Sequence, residues 1–241
     1  ESDIILASFP KSGNTWMRFI WANMISLMEF GGKKIDFKIL DKKLIAEYDT
    51  YSYGDAEFES IPRIVKTHKK YDQNAFEKNK KVYVIRHPGD VLVSYFEYKN
   101  AEINSKNFSS LSNFIRSEEI GVRAWCNHVE SWKSKADFIV KYEKMKENAE
   151  KVVKSMLKNL EIRKIKDSVI RKSVKRSSFG EMNETDIETG RIRKDDFEPN
   201  HQFMRKGETG EWKIRFKEED INYLGDEIEK SNLSDLYRIK N

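Results

Sequence analysis

The sequence predicts an α/β fold: a single domain over residues 1–241, built on a mostly parallel sheet flanked by helices, with a P-loop-like anion-binding turn. Three observations carry this. Short β-branched or aromatic runs recur along the chain, each followed by a longer stretch with helical spacing, which is the pattern of βαβ units. The 241 residues, 38% hydrophobic and 12% aromatic, are enough to enclose one sizeable core. The first apolar run passes through a compact turn of small and polar residues straight into a helix, a geometry that presents backbone N–H groups to an anion.

In chain order, strands are expected at Ile4 to Phe9, Arg63 to Thr67, Val82 to Arg86 and Phe138 to Tyr142. Helical spacing predicts helices over Thr15 to Met28, Gly89 to Asn100, Gly121 to Ser134, Ala149 to Leu160 and Lys217 to Lys230. Between Ser177 and Glu211 the chain turns polar and loses its period, with Gly180, Gly190, Pro199, Gly207 and Gly210 as punctuation. A long loop of the kind that serves as a lid or binding segment is expected there.

Lys and Arg number 45 against 40 Asp and Glu, interspersed along the chain, and the net charge of +5 suits a small anionic ligand without calling for nucleic acid. The single cysteine, Cys126, excludes an internal disulfide and a multi-cysteine metal site, and it favours a reducing, cytoplasmic setting. Its helical surroundings argue against a nucleophile. No apolar run is long enough for a membrane span, and no signal peptide is visible.

Four segments could carry chemistry. The turn Pro10-Lys11-Ser12-Gly13-Asn14-Thr15-Trp16 joins the first strand to its helix, so backbone N–H groups, the helix dipole and the Lys11 charge converge. Taken alone, it is equally an ordinary strand-to-helix connection. Lys66 and His68 lie two residues apart at the end of the second predicted strand, on one face, where open α/β sheets bind ligands. That position sets His68 apart from His87, His128 and His201. Arg86 at a strand end and Ser94 in the following helix could both reach one phosphate, although taken alone they read more simply as an ion-pair partner and an ordinary helix residue, and Pro88 suits that helix's first turn. Arg205-Lys206-Gly207-Glu208-Thr209-Gly210 joins two cations to two glycines that let backbone approach a ligand.

A triphosphate-binding P-loop is the competing reading. The spacing G-x-x-x-x-G-K-[ST] is absent, and the apolar strands end in Arg86 and Lys141-Tyr142 instead of a magnesium-holding Asp. A metal-free anion site is therefore expected.

Taken in order, PKSGNTW, KTH, RHPGDVLVSYF and RKGETGEWK resemble the 5′-phosphosulfate loop, catalytic strand, 3′-phosphate motif and closing loop of the PAPS-dependent sulfotransferases of the cytosolic type. Val140 to Met145 and Arg176 to Met182 add two weaker matches, and the resemblance runs from Ile4 to Phe216. It implies that the donor is 3′-phosphoadenosine-5′-phosphosulfate (PAPS) and the product 3′-phosphoadenosine-5′-phosphate (PAP), with no metal. Carried over by matching position, it implies that Lys11, Ser12, Gly13, Asn14, Thr15 and Trp16 hold the phosphosulfate. Arg86, Ser94, Arg205, Lys206 and Gly207 would hold the 3′-phosphate, and Tyr142 and Phe179 would contact the adenine. His68 is then the general base toward a small hydroxyl or amine acceptor, with Lys11 and Lys66 stabilising charge on the departing oxygen.

Asn14 stands where the family commonly has Thr and Glu211 where it commonly has Asp; both keep hydrogen-bonding capacity. Lys213 to Glu219 do not match the family's dimerisation signature, so the usual dimer is not carried over. A nucleotide kinase and a non-catalytic nucleotide-binding module are the alternative readings. Magnesium dependence would mark the first, and the second has no need of the Lys66 and His68 pair.

Overall fold

The computed structural model describes residues 3–48, 58–103, 108–189, 197 and 205–239. Strand β1 (Ile4–Ser8) leads into helix α1 (Asn14–Glu29), then a short helix α2 (Phe37–Ile39) that widens into a π-type turn over Leu40–Leu44. Strands β2 (Ala46–Glu47) and β3 (Ile64–Thr67), helix α3 (Gln73–Phe76) and strand β4 (Lys80–Ile85) follow. Beyond them come α4 (Pro88–Ala101), α5 (Leu111–Ile115), α6 (Val122–Lys133), β5 (Phe138–Lys141) and α7 (Tyr142–Asn159). The described chain closes with α8 (Asp167–Arg176), α9 (Phe179–Thr189), α10 (Trp212–Arg215) and α11 (Glu218–Lys230).

The strands form one five-stranded sheet, β2-β3-β1-β4-β5, with parallel pairing throughout. Successive side chains of a strand face opposite ways, so β1 divides its apolar residues between two cores. Ile4 and Leu6 join α1, α7 and α8 residues such as Trp21, Met156 and Ile170. Ile5 and Ala7 join α4, α6 and α11 residues such as Leu92, Trp125 and Leu224. Burial on both faces is why the strands read as near-continuous apolar runs.

The four expected strands and five expected helices all form, with small shifts at their ends. The fourth helix starts earlier than expected, at Tyr142, but Asn148 has non-helical φ/ψ of −160° and 86°. Its Oδ1 accepts from the Lys151 N–H at 2.9 Å, capping a second helical piece that begins at the expected Ala149. The expected long loop is a correction: residues 179–189 are helical. Met182 and Thr185 are buried on one side of α9, and Ser178 Oγ accepts from Glu181 N–H at its start. Tertiary burial there outweighs Gly180, which on its own reads as a breaker. The loop's Gly190, Pro199 and His201 lie outside the described residues. No helix among the described residues is long and apolar enough to cross a membrane.

Candidate active site

The carboxyl ends of the parallel strands present the residues singled out by the sequence. After β1 the chain turns through Lys11 at φ 65° and Gly13 at φ 100° before α1 begins. These left-handed conformations shape the turn at the helix N-terminus, where Ser12 N–H donates to Phe9 O at 3.4 Å and Trp16 N–H to Gly13 O at 3.1 Å. A Cβ on Gly13 would lie 2.5 Å from the Tyr142 ring, so glycine alone lets β5's end fold over the turn.

The Asn14 side chain turns inward: Nδ2 donates to Leu6 O at 3.4 Å and to Ser8 Oγ at 3.2 Å. Ser12 is buried, Trp16 meets Tyr142 edge-on at 5.7 Å, and the Lys11 ammonium sits 4.5 Å from the Tyr98 ring centroid. Four buried atoms around the turn, Ser12 Oγ, Asn14 Oδ1, Trp16 Nε1 and Arg86 Nε, have no hydrogen-bond partner. Orphaned buried polar atoms are costly and uncommon; three of these, Ser12 Oγ, Trp16 Nε1 and Arg86 Nε, are donors that an anion would satisfy, whereas Asn14 Oδ1 is an acceptor.

Arg86 ties the turn to the closing segment. Its guanidinium donates to Lys11 O at 3.4 Å and to Glu208 O at 2.7 Å, and lies 4.6 Å from the Tyr142 centroid. Tyr142 OH donates to Gly207 O at 3.1 Å. Gly207 has φ 65°, and a Cβ there would lie 2.5 Å from the Phe179 ring. Arg86, Tyr142, Phe179 and Gly207 are thus brought together, while Ser94 sits partly exposed in the second turn of α4. Arg205 and Lys206 both pair with Glu211, whose side chain is 9% exposed. The Arg205 hydrogen bonds hold the Glu211 carboxyl down to about 2.

At the end of β3, His68 Nδ1 lies 2.7 Å from Ser8 O and 3.3 Å from Ser8 Oγ. A carbonyl only accepts, so Nδ1 carries the proton and Nε2 is the basic nitrogen. Burial, and next the Lys66 ammonium, push the imidazolium well below its ordinary range, so the ring is neutral near pH 7. Lys66 itself forms a close ion pair with Glu47 of β2.

Sequence reasoning missed the partners that hold these groups. Ser8 fixes the His68 ring, Glu47 engages Lys66, and Asp90 accepts from Gly210 N–H at 2.8 Å to dock the closing segment on α4. Glu143 accepts from His87 N–H at 2.7 Å and from Tyr237 OH at 2.8 Å. Only the chemistry of a charge beside a known motif hints at such roles. Cys126 is buried in α6, and burial pushes its thiol up to about 11, consistent with a packing role.

A parallel sheet whose strand ends combine a tight strand-to-helix turn, a neutral imidazole and a cationic closing segment has the chemistry to receive an anionic ligand. The family model described as "Sulfotransferase domain" matches residues 1–236, and the chain belongs to that family: it is a sulfotransferase. It is 28% identical to dog Sulfotransferase 1B1 over 232 residues, covering 89% of this chain and 78% of that protein. It is 31% identical to mouse Sulfotransferase 6B1 over 239 residues, covering 90% and 72%. Among solved structures, mouse sulfotransferase SULT7A1 complexed with PAP superposes with a TM-score of 0.68 at 25% identity, covering 98% of this chain and 85% of that one. Retinol dehydratase, in complex with androsterone and inactive cofactor PAP, shares the fold with a TM-score of 0.71 at 17% identity, covering 95% and 80%. Family membership sets aside the kinase and the non-catalytic readings.

Proposed function

We propose that this enzyme transfers the sulfuryl group of PAPS to a hydroxyl or amine of a small acceptor, with His68 as general base. The observation that carries this is the 2.7 Å contact between His68 Nδ1 and Ser8 O, which puts the ring proton on Nδ1 and leaves Nε2 as the basic nitrogen. His68 Nε2 takes the acceptor proton while a bond forms from the acceptor to sulfur and the S–O bond to the 5′-phosphate breaks, releasing PAP. Positive charge from Lys11 and Lys66, with no metal, stabilises the departing oxygen.

Backbone N–H groups of Gly13 to Thr15, with the Ser12 hydroxyl and the Trp16 indole N–H, would hold the phosphosulfate beside Lys11; the orphaned donors Ser12 Oγ and Trp16 Nε1 support that fit. Arg86, Ser94, Arg205, Lys206 and Gly207 would take the 3′-phosphate, and Tyr142 and Phe179 the adenine. The PAP named in the structure of SULT7A1, a 25%-identical relative, supports the donor assignment. A screen of phenols, steroids, aliphatic alcohols, sugars and amines with ³⁵S-labelled PAPS tests the reading. Label transfer to at least one class, with PAP released in equal amount, is expected. Transfer from ATP but not from PAPS would overturn it.

A further inference from the structure

We propose that His128, on α6, is a positioning residue for sulfuryl transfer that sets the His68 ring through the His68 backbone; the proposal rests on His68 being the general base. His128 is 3% exposed, and its Nε2 lies 3.0 Å from the carbonyl oxygen of His68. Because that oxygen only accepts, Nε2 carries the proton, and Nδ1 accepts from the Tyr83 hydroxyl at 2.9 Å. Tyr83 stands on β4, next to β1 in the sheet. Burial holds the phenol in its protonated, donating form.

These bonds form a continuous chain. Ser8 O receives the His68 ring, and His68 O receives His128. His128 receives Tyr83, and the His128 ring packs edge-on against Phe9, the neighbour of Ser8, at 5.7 Å. The His68 ring is fixed at one end and its own carbonyl at the other, which leaves its backbone little freedom to rotate. Two further bonds from α6 continue the same hold: Trp132 Nε1 donates to Lys69 O at 3.0 Å, and Ser131 Oγ accepts from Tyr71 N–H at 3.1 Å. One helix face thus holds residues 68, 69 and 71 just after the strand that delivers the base. A hydrophobic side chain would fill the space beside Tyr83 and Phe9 without a donor for His68, so what the polar ring adds is orientation.

The test compares His128→Leu, which loses the donor, with His128→Gln, whose amide nitrogen reaches about where Nε2 was, in the parent and in His68→Ala. With PAP bound, ¹⁵N spectra of the imidazole should show the Nδ1–H form of His68 in the parent and in His128→Gln. In His128→Leu the two tautomers should average. Turnover with ³⁵S-PAPS on the acceptor identified by the screen should fall at least tenfold in His128→Leu with KM for PAPS unchanged, and His128→Gln should restore most of it. In the His68→Ala background, His128→Leu should cost no further turnover, because its effect passes through the missing ring. An unaltered His68 tautomer and turnover within twofold per folded molecule in His128→Leu would overturn the proposal. So would a full additional loss in His68→Ala. If His68→Ala itself keeps parental turnover, the general-base reading fails on its own, and the spectra still report whether His128 sets the ring.

Discussion

Both terminal nitrogens of Arg205 reach the two carboxylate oxygens of Glu211, a two-pronged ion pair that Lys206 joins at 3.1 Å and Arg215 approaches at 3.6 Å. Because Glu211 has three cationic neighbours, Arg205→Ala leaves it paired and should cost little stability. On the proposed assignment it removes a charge-assisted contact to the 3′-phosphate worth about 1.5–3 kcal/mol, so PAP affinity measured by titration calorimetry should fall roughly ten- to hundredfold. Parental affinity would remove Arg205 from the nucleotide site.

PAP should raise the melting temperature far more than AMP does at equal concentration if, as proposed, Arg86, Arg205 and Lys206 give the 3′-phosphate its own cations. A ligand that binds only the folded state stabilises it by mass action. Equal shifts from the two nucleotides would contradict a dedicated 3′-phosphate site.

His68→Ala should lower kcat by about 10²–10⁴-fold while leaving PAP affinity near parental, since a general base acts on the acceptor. On that reading the active form is the neutral ring, and burial with Lys66 holds its protonation below the ordinary ~6.5. Turnover should therefore stay level from pH 8 down to about 6.5 and decline only in more acid solution. A rate that falls between pH 8 and 7 would point to a different base.

Gly13→Ala should both destabilise the protein and weaken PAP binding. The left-handed φ of 100° costs a residue with a side chain about 1–2 kcal/mol, and the new methyl would meet the Tyr142 ring at 2.5 Å. Chemical denaturation and PAP titration of the one variant read the two effects separately.

His87 supplies a pH dependence of stability. Burial pushes its imidazole down to about 4, whereas an unfolded chain titrates near ~6.5. As pH falls from about 6.5 to 4, the unfolded state takes up a proton that the folded state refuses, so stability is lost by up to about 1.4 kcal/mol per pH unit. His87 Nδ1 also accepts from Gly89 N–H at 3.2 Å to cap α4, a role that Asn can fill. His87→Asn should thus keep the cap and flatten the acid limb of stability measured at pH 7, 6 and 5.

Four of the five strands were legible because both sheet faces are buried, leaving apolar runs such as Ile4–Ser8. The exception, β2, is two residues long and has no pattern to read. Helix α8 escaped because its turns are crowded with Arg171, Lys172, Lys175 and Arg176, and only Ile170 and Ser173 are buried. Within the site, the turn and the cations could be read because charge and glycine placement are local signals. Ser8, Asp90 and Glu143 could not, because their bonds join residues 56 or more positions apart. His128 was passed over for the same reason: its meaning lies in a carbonyl 60 positions away.

The central place of β1 bears on when the site comes into being. Ile4 pairs with Ile64 on one side and Lys80 on the other, so neither flank of the donor turn exists until loops of about sixty and seventy-five residues have closed. Such distant pairings slow folding, and Ser8, His68 and Arg86 come into register only when they are complete. Nucleotide, which has nothing to grip before then, should leave the refolding rate unchanged and act almost wholly by slowing the escape from the native state.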